Sequence, residues 1–240
     1  MENYEQQEKN SIVDYFADLF FDPNSLAERI IKKPRILVPL IIGIILSTAI
    51  MFILKDLMIE SIVRFSKDLE HMKDLPPDQL KQMVSSQYNI GMLIGAISPI
   101  IVLLINAAIF FVLGKLFKSQ ALFKELMSLI AFGYIIALIG GLITAFIQVF
   151  TQNVSFDLSL VALLPHENMV PGLTPTKWYY SLAALVNPFT IWYYAVIVIG
   201  LSKLGNLKKS QSILIVVIVV ALGQAFNILN ALLTGAQAGI

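Results

Sequence analysis

Cysteine is absent from this 240-residue chain. That absence excludes disulfides, thiolate chemistry and Cys-ligated zinc or iron-sulfur centres. Histidine is nearly absent, with His71 and His166 alone, and His166-Glu167 is followed three residues on by Val170, where a zinc-protease helix needs its second His. Metal catalysis is not expected, and no cofactor is implied. Charge is scarce as well, at 14% of residues against about 25% in soluble domains. A net charge of +1 gives no case for nucleic acid.

The scarcity is concentrated. Residues 36–54, 89–114, 126–156, 178–202 and 210–240 carry no Asp, Glu, Lys, Arg or His at all. Each is long enough to cross a bilayer core, which takes about 20 apolar residues. A proton relay or ion-coupling carboxylate would need a charge inside such a run, and there is none. The expected fold is all-α: a polytopic membrane protein with five transmembrane helices. Residues 1–35 form a cytoplasmic amphipathic segment and residues 36–240 one five-helix membrane domain. Within that domain, 55–90 is an external helical hairpin between helices 1 and 2, and 151–177 is an external loop. Met1 to Asn10 is polar and acidic, unlike a cleavable signal.

Orientation follows from Lys and Arg beside the spans, because positive loops resist translocation. The N-terminal segment and the 2–3 and 4–5 connections hold eleven such residues, and the opposite side six. The expected topology is N-terminus inside and C-terminus outside.

Ser11 to Phe21 places Ile12, Phe16, Leu19 and Phe20 at helical spacing. Asp22-Pro23 reads as an N-cap followed by proline at the first helical position, opening a second helix that ends at Arg29, Lys32 and Lys33. Two interfacial amphipathic helices against anionic headgroups are one reading. A docking surface for a cytoplasmic partner, using Phe16, Phe20 and Arg29, is the other. Beyond span one, Met58, Ile62, Phe65, Leu69 and Met72 repeat at alternating spacings of four and three, the seam of a heptad. Pro76-Pro77 ends this arm, and Leu80, Met83, Val84 and Tyr88 supply the returning arm. Either the arms bury each other, or the uncovered seam binds a protein: a second copy of the chain or an extracytoplasmic subunit.

Gly133, Ala137, Gly141 and Ala145 give span three a stripe of small residues suited to close helix packing. Gly91 and Gly95 form a lone GxxxG. Asn106, Gln148, Gln224, Asn227 and Asn230 are uncharged polar groups that either bond between helices or, if they converge, line a path. Pro188 is expected to kink span four.

Three segments together resemble the Yip1 family. They are Asp22-Pro23 with Lys33-Pro34-Arg35; Phe123-Lys124-Glu125-Leu126 leading to Phe132-Gly133-Tyr134; and Asn187-Pro188-Phe189-Thr190-Ile191-Trp192 followed by Ile199-Gly200-Leu201-Ser202 and Lys208-Lys209. The resemblance implies five spans with a cytoplasmic N-terminus. Eukaryotic members are associated with Rab GTPases and Golgi traffic, and some bacterial members look like accessory proteins of ABC-type exporters. The N-terminal segment here is shorter than the eukaryotic pattern, which favours a prokaryotic cytoplasmic-membrane protein. The leading expectation is a non-enzymatic scaffold or accessory subunit that binds and modulates another membrane protein, such as an ABC-type exporter. The alternative is a small-solute channel or transporter.

Overall fold

A computed structural model describes residues 11–66, 75–164 and 178–237, with side chains omitted at 178 and from 230 onward. Among these residues the regular structure is all helical. The elements are α1 (Ile12–Phe21), α2 (Pro23–Lys32), α3 (Leu37–Ser66), α4 (Pro77–Leu116), α5 (Phe123–Thr151), a 3-10 turn (Leu160–Leu163), α6 (Trp178–Leu185), α7 (Pro188–Gly205) and α8 (Lys209–Gln237). Five of them, α3, α4, α5, α7 and α8, are long and apolar enough to cross a membrane. In a bilayer every backbone group must find its partner within the protein, and a helix achieves this within one segment.

The two N-terminal helices form where the residues predicted them. Ser11 and Asp14 make a capping box on α1, the Ser11 side chain accepting from the Val13 N–H and Asp14 from the Ser11 N–H. Asp22 caps α2, accepting from the Asn24 and Ser25 N–H groups, with Pro23 at N1.

Span one does continue as a helix beyond its apolar run, as far as Ser66; Leu69 and Met72 lie outside the described residues. The returning arm and span two are one 40-residue helix, α4. Pro99 inside it has no N–H for the carbonyl four residues back, and the Ser98 hydroxyl donates to that carbonyl, on Gly95, at 2.8 Å.

Span four departs from expectation. Pro188 does not kink a continuous helix but starts a new one, so residues 178–202 are divided into α6 and α7 at Val186-Asn187. Proline disfavours helical geometry at the residue before it, here Asn187, and is well placed at a helix start. The Val186 carbonyl at the break accepts from the Leu160 N–H at 3.2 Å, so the short apolar run 158–164 packs back on this segment. His166 and Glu167 lie outside the described residues.

The chain divides into two compact units. One comprises Met1–Gly43, Pro99–Ala137 and Phe189–Ala221, and the other Ile44–Ser98, Leu138–Pro188 and Leu222–Ile240. They are called here the N-terminal unit and the hairpin unit. Of the spans, α5 is the most enclosed: 61% of its apolar window is buried, against 11% for α3.

Candidate interaction surfaces

In the N-terminal unit, α1 and α2 are held to the first turns of α5. Tyr15 stacks on Phe132 at 5.3 Å between ring centroids, and Phe16 meets the same ring edge-on. Tyr15, Leu19, Leu26, Ala27 and Ile30 are all fully buried. The Tyr15 hydroxyl donates to the Lys33 carbonyl at 2.8 Å and the Arg29 carbonyl at 3.2 Å, tying α1 to the end of α2. Burial pushes this phenol above its ordinary pKa, against the opposing pull of Arg35, whose guanidinium lies 5.3 Å from the ring centre. Asp22, by contrast, is held below the usual carboxylate range by the hydrogen bond from the Ser25 hydroxyl.

Arg29 is engaged inside this pair of helices, bonded to Asp18 and lying 3.4 Å from Asp14. Of the three residues expected to form an inner docking surface, Arg29 and Phe16 therefore make contacts within the chain, and Phe20 is exposed. A reciprocal pair fixes the start of span one: the Arg35 N–H donates to the Ser128 hydroxyl oxygen, and that hydroxyl donates to the Arg35 carbonyl. No sequence signal points to this pair, 93 positions apart.

Further along α5, the small residues admit neighbours. A Cβ added to Gly133 would stand 3.0 Å from the Tyr193 ring of α7 and 3.3 Å from Ile197, and one added to Gly200 would collide with Leu129. Two of the segments that carry the family resemblance thus meet face to face. Ala137 is half-buried. In the hairpin unit, Gly141 approaches Ile50 of α3 and Ala145 is buried. Gly95 packs against Met51, whereas Gly91 faces open space.

The polar residues inside spans are occupied or dispersed. Asn106 bonds to the Val102 carbonyl of its own helix and lines, with Pro99, Tyr134 and Tyr193, a cavity of about 30 Å³, room for a water or two and not for a larger solute. Gln148 donates to the Val154 and Phe156 carbonyls, closing the turn after α5. Gln224 is half-buried and Asn227 exposed, and neither lines the Asn106 cavity; the Asn230 side chain lies outside the described residues.

The hairpin has a small core. Ile59, Leu80 and Val84 are buried together, with Ile62, Val63, Met83 and Tyr88 packed on them. The Tyr88 hydroxyl donates to the Met51 carbonyl at 2.7 Å. Ile59 is the residue that the expected seam passed over; it and Ser66 are buried, and Ile62 and Val63 beside them are partly buried. Ile62 therefore belongs to the hairpin's own core, while Met58 and Phe65 are half-buried outside it. Beside this core lie two open grooves of about 320 and 670 Å³, lined by Lys55, Asp56, Glu60, Arg64, Asp78 and Lys81. Among the described residues these six charges form no ion pair with one another.

Five helices long and apolar enough to cross a membrane define an integral polytopic membrane protein. Its family is shown by a match to the Yip1 domain over residues 17–228, nearly the whole chain: the protein belongs to the Yip1 family. Searches of curated proteins and of solved structures returned no match.

Proposed function

We propose that the protein is a non-enzymatic membrane scaffold or accessory subunit that binds and modulates another membrane protein through the α3–α4 hairpin. In this reading the N-terminus is cytoplasmic, the hairpin and C-terminus are extracytoplasmic, and the membrane is a prokaryotic cytoplasmic membrane. The Lys and Arg distribution supports that orientation. The partner is an ABC-type exporter or its extracytoplasmic subunit, with self-association through the same surface as the other arrangement it allows.

The observation that carries the proposal is the set of six groove charges. Opposed arms bearing Lys and Arg beside Asp and Glu ordinarily pair across the gap, and among the described residues these do not. Charges without an ion-pair partner among the described residues, flanking the half-exposed Met58 and Phe65, combine an apolar centre with a polar rim, the anatomy of a protein interface.

The test is co-purification in a gentle detergent, with mass spectrometry, of the wild type and of a Met58→Ser, Phe65→Ser, Lys81→Glu variant. Loss of about tenfold in recovered partner, or in self-association, is expected, corresponding to about 1.4 kcal/mol. An unchanged set of co-purifying proteins together with unchanged self-association would contradict the proposal.

A further inference from the structure

The apolar arc of α1 is wider than the protein covers. Tyr15 and Leu19 face α5 and are buried, but Val13, Ala17 and Phe20, at i, i+4 and i+7, form an adjoining stripe that is exposed. Phe21 beside it is 89% exposed. This stripe is not the one that periodicity first picks out: Phe16 and Leu19 turn to protein, and the neighbouring line is left open.

Six lysines of the same unit, Lys32, Lys33, Lys118, Lys124, Lys208 and Lys209, are exposed and have no carboxylate within ion-pair distance among the described residues. Among the described residues the acids of this unit are already occupied: Asp14 and Asp18 by Arg29, Glu28 by Lys203, and Asp22 and Glu125 by N–H groups at the starts of α2 and α5. Three of the lysines also stand where a helix disfavours them. Lys124 lies in the first turn of α5, and Lys208 and Lys209 open α8, so each adds positive charge to the positive end of a helix dipole. Cations so placed, with no carboxylate partner among the described residues, suit an external anion.

We infer that this end of the N-terminal unit is a binding surface for anionic lipid headgroups, with the Val13–Ala17–Phe20 stripe and Phe21 entering the headgroup–acyl boundary. Lipid is the occupant favoured by charge complementarity and by chain continuity. Leu37, 71% exposed, then Ile41 and Ile45 carry an outward apolar line into span one five residues after α2 ends. Apolar burial and headgroup attraction reinforce each other in such a surface.

The cysteine-free chain allows a direct test. Full-length Ala17→Cys and, as a reference on the exposed start of α2, Asn24→Cys are labelled with a fluorophore and reconstituted into phosphatidylcholine vesicles containing brominated phosphatidylcholine or brominated phosphatidylglycerol. The Ala17 label should be quenched at least about twofold more than the Asn24 label, and brominated phosphatidylglycerol should act at about fivefold lower mole fraction than the choline lipid, as headgroup attraction enriches it. Lys32→Gln, Lys33→Gln, Lys208→Gln and Lys209→Gln together should bring that lipid preference below about twofold. Equal quenching by the two lipids in the cationic protein overturns the inference. So does an Ala17 label quenched no more than Asn24, or one shielded from both brominated lipid and aqueous iodide, which would mean that protein covers the stripe. The comparison of lipids in the unsubstituted lysine background stands even if the fourfold variant does not fold.

Discussion

The start of α5 and the α3–α4 hairpin use the same ingredients differently. Around Phe132, three aromatic rings, a buried hydroxyl reciprocally bonded to backbone and two close-packed glycines leave almost no group without a partner. In the hairpin, three buried aliphatic residues hold two arms together beside six charges with no ion-pair partner among the described residues. One region is organised to hold the chain's own helices in place. The other holds two arms together and leaves charged grooves open beside its core.

The sharpest way to break this contrast is Phe132→Ala. It removes the ring on which Tyr15 and Phe16 rest, and should cost about 3–5 kcal/mol in detergent unfolding, with early proteolytic release of α1 and α2. A loss below about 1 kcal/mol would show that the helix pair is not held there. Next comes Leu80→Ala in the hairpin core, expected to cost about 2–4 kcal/mol but to act locally, increasing cleavage between residues 60 and 85 without loosening α1. Gly200→Val should cost about 1–3 kcal/mol by forcing Leu129 aside, whereas Gly91→Val, facing open space, should cost little.

Smaller effects come from titration. The Tyr15 pKa is raised on folding, so its contribution is complete below about pH 10 and is lost as pH rises through the folded value. Alkaline loosening of α1 should therefore be weaker in Tyr15→Phe, which has no phenol to ionise. The Asp22 pKa is lowered, so its contribution is present above the ordinary carboxylate range and is lost as pH falls through the depressed value. Ser25→Ala should shift acid fraying of α2 to higher pH, as seen by hydrogen exchange of the Asn24 and Ser25 amides.

Much of the fold was legible because a bilayer leaves a chain few options. Charge-free runs of sufficient length must be helices, and the caps at Ser11 and Asp22 are local signals. What was not legible depended on tertiary partners. Two heptads do not say which residues of the first arm face the returning one, where Ile59, Ile62 and Val63 meet Leu80 and Val84. Periodicity likewise gave α1 one broad apolar face, which Phe132 divides into a covered half and an open half. Pro188 signalled a disturbance in span four, but the partner that takes up the Val186 carbonyl at the break, the Leu160 N–H, is distant in sequence and has no local signal.

The central claim is that the hairpin, and not the packed start of α5, meets a protein partner. A photo-crosslinking amino acid placed in living cells at Phe65, and separately at the buried Leu129, tests it most directly. A discrete protein adduct from Phe65, either to another membrane-associated protein or to a second copy, with none from Leu129, is the predicted result. No protein adduct from Phe65, or the same adduct from both positions, would contradict it.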